Sequence, residues 1–540
     1  MTIKVASVEE IRAIETAADR SGISYEQMML NAGQAASTYL QTRIAINESP
    51  VIMFLVGKGN NGGDGLVMAL DLARRTTADI RLYLPETRGE DDKVFKAAQD
   101  AGIAIVFAAD DKQGRILEKW IREAVVIVDS LFGIGLRLPL RDRASTVLKR
   151  VMRCLSQDRP YSRDGEIEHV GGIVSRDKRR PFILAIDCPS GVDCDSGKAD
   201  PYTIAADTTI SFIAAKPGLL TFPAAGKVGD LVVLPIGLPS TLPELQQVST
   251  TVVDSRLAGS LLPPRPLDGH KGSFGKVMLV AGSPNYIGAV ALAGESACRS
   301  GVGLVTIGTS RELISIVSSG LREPTWLPLS ADSGAINEQA AETLVAAAQT
   351  YDALLIGCGL GLHESTVAFV KRVANADAPP LVLDADALNA LSQEPEWWKS
   401  LPPDTIITPH SGEMSRLSGL STAEINGERW CVARQYAARW NMVVALKGAH
   451  TIIASPEGEA SVIPFKTDAL GTAGTGDILA GLIAGLRAQG LSAYDSARLG
   501  AYVQGLAGTM AAGKVGSSRS VIAGDVLAAL GRAFEQIESV

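Results

Sequence analysis

Six short apolar runs punctuate the first half of the chain: "VIMFLV" (51–56), "DIRLYL" (79–84), "IAIVF" (103–107), "AVVIVD" (124–129), "FILAID" (182–187) and "TTISFIA" (208–214). Segments with helical spacing, such as "LVMALDLARR", lie between them. Buried strands alternating with helices predict a mostly parallel sheet covered on both faces. Two helical patterns, roughly 7–20 and 25–43, precede the first strand. The rhythm breaks at 156–180, a polar and charged stretch that reads as a surface loop or hairpin inserted before a strand.

A proline-rich stretch near 238–265 interrupts the alternation. A second series then begins: "KVMLVAG" (276–282), a helix from about 288 to 300, "GLVTIG", "DALLIG" (352–357), "LVLDAD" (381–386), "TIITPH" (405–410) and "VVALKG" (443–448). "HTIIASPEGEASVIPF" reads as an antiparallel hairpin around Pro456, Glu457 and Gly458. The two series share no register, which implies two different α/β domains: residues 1–240, a boundary over 241–265, and a second domain within 252–540.

Composition narrows the partners. The net charge is −8 with no long basic run, which argues against nucleic acid. Six scattered cysteines without a CxxC pair read as reduced thiols, and the five histidines form no metal-spaced cluster. "ILAGLIAGLRAQG" is broken by Arg487 too early for a membrane span and reads as a buried helix. A cytoplasmic protein is the expectation.

Ligands of open α/β sheets bind outside the carboxyl ends of the strands. In the first half those ends are "GKGNNGGDG" (57–65), "DSLFGIGL" (129–136) and "DCPSG" (187–191). They bring Asn60, Asn61, Asp64, Asp129, Asp187 and Ser190 to one rim. The glycines let backbone N–H groups approach a phosphate, and the oxygen-rich side chains suit a hard cation. In the second half "GTAGTGD" (471–477) opens a helix whose N-terminus favours negative charge, with Asp477 placed to take a proton from an attacking hydroxyl. Lys447, at a strand end, is costly to bury unpaired, so an anionic partner is expected.

The first set of motifs, together with "AAKPGLL" (214–220), resembles the epimerase domain of the bifunctional NAD(P)H-hydrate repair enzymes, over about residues 10–237. The resemblance implies a Rossmann-like three-layer α/β/α sandwich. It implies a hydrate site at Asn60, Asn61, Gly62, Gly63, Asp64, Gly133, Ile134, Gly135, Leu136, Arg137, Asp187 and Lys216. Asp187 would transfer the proton, Lys216 would assist electrostatically, and K+ would be held by Asn61, Asp129 and Ser190. Lys58 departs from the family pattern, where proline is expected.

"HKGSFGKVMLVAGS" (270–283), "GCGLG" (357–361), "LVLDADALNAL" (381–391), "TPHSGE" (408–413), "LKGAHT" (446–451) and "GTAGTGD" resemble the dehydratase half of the same enzymes, a ribokinase-like domain. The resemblance implies ADP as phosphoryl donor with Mg2+, and Asp477 as base. It implies hydrate contacts at Ala289, Gly359, Gly361, His410 and Asp477. Nucleotide contacts would fall on Lys447, Gly448, Ala449, His450, Thr451, Gly474 and Gly476. Cys358 and Ser411 stand where the family pattern has proline. The implied partners are NADHX, NADPHX and ADP, with a homo-oligomer expected. Two rivals compete: a ribokinase-like small-molecule kinase, and a first half that only binds nucleotide and regulates the second.

Overall fold

The apolar runs of the first half become strands of one sheet. The structure, a computed structural model, describes residues 2–43, 49–89, 91–157 and 180–540. It divides into two compact units, residues 3–248 and 249–540. In the first, β1 (Val51–Val56), β2 (Asp79–Leu84), β3 (Ala104–Phe107), β4 (Ala124–Ser130), β5 (Phe182–Ile186), β6 (Thr208–Phe212) and β7 (Asp230–Leu234) lie in the order 3-2-1-4-5-6-7. Every neighbouring pair is parallel.

The two-residue period of β1 explains the layers. Ile52, Phe54 and Val56 pack on one face against α1 (Val8–Arg20), α2 (Tyr25–Arg43) and α3 (Asn60–Arg75). Met53 and Leu55 pack on the other, against the helices Arg115–Glu123 and Asp142–Gln157. Sequence reasoning missed β7, a half-buried edge strand whose apolar signal is short. Residues 158–179 lie outside the described residues, and with them most of the insertion expected at 156–180.

A capping box opens α1: Ser7 Oγ accepts from the Glu10 N–H and Glu10 caps the Ser7 N–H in return, worth about 1 kcal/mol. The preceding residues are tied to the sheet end, the Ala6 N–H donating to the Ala215 carbonyl at 2.9 Å. This fixes α1 beside Lys216.

The second unit is built on a ten-stranded sheet. Its strands are β8 (Thr250–Val252), β9 (Lys276–Val280), β10 (Leu304–Thr309), β11 (Thr325–Pro328), β14 (Ala353–Ile356), β15 (Leu381–Leu383), β16 (Ile406–Ile407), β17 (Val443–Leu446), β18 (Ile452–Ala454) and β19 (Ala460–Val462). The order is 11-10-9-14-15-16-17-18-19-8; β12 (Ala331–Asp332) and β13 (Ala335–Ile336) form a separate small hairpin. The strands from β11 to β17 run parallel, and β18 and β19 form the expected antiparallel hairpin. "ILAGLIAGL" lies in the buried helix Thr475–Ala488. The proline-rich stretch carries a short helix, Pro243–Gln247, and then β8, which pairs with β19. Among the described residues no helix is long and apolar enough to cross a membrane.

Candidate active sites in the two domains

In the first sheet the strand order reverses between β1 and β4, so the chain leaves these neighbours in opposite senses and opens a crevice beyond their ends. A cavity of about 770 Å³ lies there. Asn60, Asn61, Asp64, Gly133, Ile134, Gly135, Leu136, Asp187 and Lys216 all line it. Gly62 and Gly63 are buried in α3 and are not among the lining residues, nor is the exposed Arg137. Asp129 and Ser190 are also outside the lining, fully buried.

In the structure most of "GKGNNGGDG" is helix rather than strand-end loop. Only residues 57–59 are loop, because α3 begins at Asn60. The glycines serve close packing: a Cβ on Gly62 would meet the Gly57 carbonyl oxygen at 1.9 Å, and one on Gly57 would meet the Leu131 carbonyl oxygen at 1.9 Å. The segment thus seats a helix N-terminus against two strand ends.

Asp187 has a φ of 66°, a region that a non-glycine residue occupies at a cost of about 1–3 kcal/mol and that concentrates at functional sites. Its Oδ1 accepts from Lys216 Nζ at 2.6 Å, and its Oδ2 from the Ile134 N–H at 3.0 Å. Lys216 is 1 % exposed, and its ammonium also donates to Ser211 Oγ (2.8 Å) and the Phe212 carbonyl (3.3 Å). Burial pulls the lysine pKa down, but the Asp187 carboxylate outweighs it and leaves the pKa raised.

Behind them, Asp129 accepts from Ser190 Oγ (2.6 Å) and the Ser190 N–H (2.8 Å). Burial still holds the Asp129 carboxyl above its ordinary range. The side chain of Asn61 is buried, and among the described residues neither its Oδ1 nor its Nδ2 has a hydrogen-bond partner. An orphaned buried amide costs about 1–3 kcal/mol, which points to a ligand for that oxygen.

Sequence reasoning missed Arg12 and Glu15, which line the cavity from α1, and Arg88, which donates to the Gly57 carbonyl. A signal existed for Glu15. The buried stripe of α1 is Ile11, Ile14 and Ala18, and an acid at 15 sits within it.

The second sheet reverses its order between β9 and β14. Gly359 and Gly361 follow β14 with φ of 64° and 75°. A Cβ on Gly359 would meet that of Ala289 at 2.8 Å, so these two residues adjoin. Asp477 lies in the first turn of Thr475–Ala488, behind the left-handed Gly474. Burial, then the charge of Asp384, pushes its carboxyl up to about 7.

Lys447 is buried against anions, but they belong to the protein. Its Nζ is 2.6 Å from Asp384 Oδ1 and 3.6 Å from Glu413 Oε2. Asp384 is thus the anionic partner expected for its ammonium. Asp384 also accepts from Thr408 Oγ1 at 2.7 Å. Gly476 adjoins Lys447, since a Cβ there would stand 3.6 Å from Nζ. Gly448 and Ala449 are exposed, and Thr451 Oγ1 donates to the Gly448 carbonyl at 3.0 Å.

His450 turns its side chain inward. Its ring is buried, 3.3 Å from the Ile463 carbonyl, and burial lowers its pKa to about 4. Only its backbone remains for a ligand. His410 is exposed, and its Nδ1 caps the helix Ser411–Ser418 by accepting from Gly412. Cys358, which stands where the family pattern has proline, adjoins the acids. Its Sγ and carboxylate oxygens of Asp384 and Asp477 lie within 4.8 Å of one another.

A family model described as YjeF-related protein N-terminus matches residues 25–218, and one described as NAD(P)H-hydrate dehydratase matches residues 277–529. The chain is 33 % identical to the bifunctional NAD(P)H-hydrate repair enzyme of Moorella thermoacetica, over 93 % of this chain and 90 % of that one. It is 33 % identical to the Thermofilum pendens enzyme, over 94 % and 92 %, and 32 % identical to the Escherichia coli enzyme, over 96 % and 92 %. It is also similar to a solved ADP/ATP-dependent NAD(P)H-hydrate dehydratase from Bacillus subtilis, co-crystallised with ATP and Mg2+, with 33 % identity, 53 % of this chain and 98 % of that one covered, and a TM-score of 0.47. Identity of 32–33 % over more than nine-tenths of the chain shows that it belongs to the bifunctional NAD(P)H-hydrate repair enzymes.

Proposed function

We propose that the first domain, residues 1–240, interconverts the R and S hydrates of NADH and NADPH. The second, within 252–540, dehydrates the S form while ADP is hydrolysed to AMP and phosphate. The observation that carries the reading is a division of labour between two aspartates. Asp187 is ion-paired to a buried lysine at the rim of a cavity that can hold a nicotinamide ring. Asp477 makes no ion pair among the described residues, lies beside the Cys358 thiol with its pKa raised to about 7, and stands at a helix N-terminus that attracts phosphate. A carboxyl of that pKa can take a proton from the substrate hydroxyl at physiological pH.

In this reading Asn60, Asn61, Asp64, Gly133 to Leu136 and Lys216 surround the hydrate in the first domain. Ala289, Gly359, Gly361 and His410 do so in the second. Gly448, Ala449, Thr451, Gly474 and Gly476 offer backbone or small surfaces to the nucleotide, and Lys447 acts through Asp384. Potassium fits the first domain: Asn61 Oδ1 is an orphaned buried oxygen, and Asp129 and Ser190 supply hard oxygen donors. A bound K+ would supply positive potential to the developing charge on the substrate. Magnesium fits Cys358, Asp384 and Asp477 poorly, because the thiol is soft and Lys447 already holds Asp384. It would travel on the nucleotide phosphates instead. The reading includes a cytoplasmic location and a homo-oligomer, which light scattering would test.

The test is recovery of reduced-nicotinamide absorbance from a mixture of R and S NADH hydrate, with and without ADP. Complete, ADP-dependent recovery is expected. Recovery that stops when the S form is spent would remove the epimerase assignment. A stable phosphorylated product would favour a small-molecule kinase.

A further inference from the structure

Inversion at the hydroxyl-bearing carbon of the hydrate needs two proton transfers. One proton must reach the departing hydroxyl, and another must leave the incoming water. Asp187 can serve one of them. Its two oxygens are occupied by Lys216 and the Ile134 N–H, an arrangement suited to a fixed carboxylate.

Glu15 faces the same cavity from α1. It is half-buried, and among the described residues its carboxyl makes neither a hydrogen bond nor an ion pair. Arg12 on its own helix, Asp64 on α3, and Asp187 and Lys216 at the ends of β5 and β6 are the charged groups that act on it or through it. We propose that Glu15 is the second catalytic residue of the epimerase site, the general acid that works opposite Asp187. The proposal rests on the epimerase reading above.

The step balances. Neutral Glu15 gives its proton to the C6 hydroxyl of the hydrate. The C6–O bond breaks with its electron pair on oxygen, and water leaves. The ring nitrogen shares its lone pair with the carbon that remains. A second water forms a new C6–O bond on the other face and yields a proton to Asp187. One water leaves, one enters, and the centre is inverted without oxidation. Asp187 returns its proton, and Glu15 regains one, through solvent in the open cavity.

Two carboxyls in one cavity, one ion-paired and one without a partner among the described residues, can divide the roles of base and acid. Burial, then the Asp187 charge, raises the Glu15 carboxyl, which favours its protonated form. Burial, then the Asp187 charge, also raises the Asp64 carboxyl.

The experiment uses the whole chain and R-NADH hydrate. Glu15→Gln should lower kcat for inversion by about 10²-fold or more with little change in KM, and Glu15→Asp should restore part of it. The wild-type pH profile should fall on its alkaline side as Glu15 loses its proton, and the Gln variant should lack that limb. In ¹⁸O-labelled water, wild-type inversion should place a solvent oxygen on C6. An unchanged kcat and pH profile in Glu15→Gln would overturn the proposal, as would inversion that keeps the original oxygen. A wild-type chain that does not invert the hydrate overturns the epimerase reading and this proposal with it.

Discussion

Each domain buries one lysine against an aspartate at a strand end, but the lysine serves different partners. In the first domain Lys216 is paired with Asp187, the residue assigned to proton transfer. In the second, Lys447 is paired with Asp384, while Asp477 stands apart and stays near neutral. The same two residue types thus give a fixed carboxylate in one place and a poised one in the other. Placement of the cation sets the difference: Lys216 contacts Asp187 directly, whereas Lys447 is held on Asp384 and burial raises Asp477.

Asp477→Asn should break the second arrangement most severely. Turnover of the S hydrate should fall about 10³-fold or more, with nucleotide binding by calorimetry retained. Asp187→Asn should reduce R-to-S conversion about 10²- to 10⁴-fold and leave turnover of pure S hydrate intact, measured in one preparation with each isomer. Lys447→Met sharpens the comparison. It removes a positive charge near Asp477 and leaves Asp384 unpaired. The acid limb of dehydration, where the rate falls as pH drops through about 7, should move up by about one pH unit.

A separate effect is on stability. The Asp477 carboxyl binds a proton more tightly in the folded chain, about 7, than its ordinary 3.8. Between those values the folded state holds the extra proton, so stability declines as pH rises through the window. Asp477→Asn should escape that decline. Denaturant unfolding should show its advantage over wild type growing from pH 4 to pH 8 by up to about 4 kcal/mol.

Much of this was legible before the structure. Continuous apolar runs revealed the parallel strands, and the antiparallel hairpin was visible in "HTIIASPEGEASVIPF" with its turn at Gly458. A strand-end motif located Asp187, because ends of parallel strands converge by topology, and the glycine-rich opening of a helix located Asp477. Side-chain direction was hidden. Nothing local told that the His450 ring turns inward, or that Lys447 meets Asp384 from another strand end. Such pairings are set by sheet order, and sheet order is long-range. Glu15 went unnoticed because α1 precedes the sheet in sequence and reaches the cavity only through its tie to Ala215.

The edge strand β8 has a consequence for synthesis. It is made at the start of the second domain but pairs with β19, close to that domain's end. At about 5–20 residues per second, on the order of 10 s or more separate the two on the ribosome. Through that interval β8 has no sheet to join, while residues 3–248 are already complete. A fragment cut at residue 277, where the dehydratase family match begins, would lack β8 altogether. It would present β19 as an open edge, a template for pairing between copies.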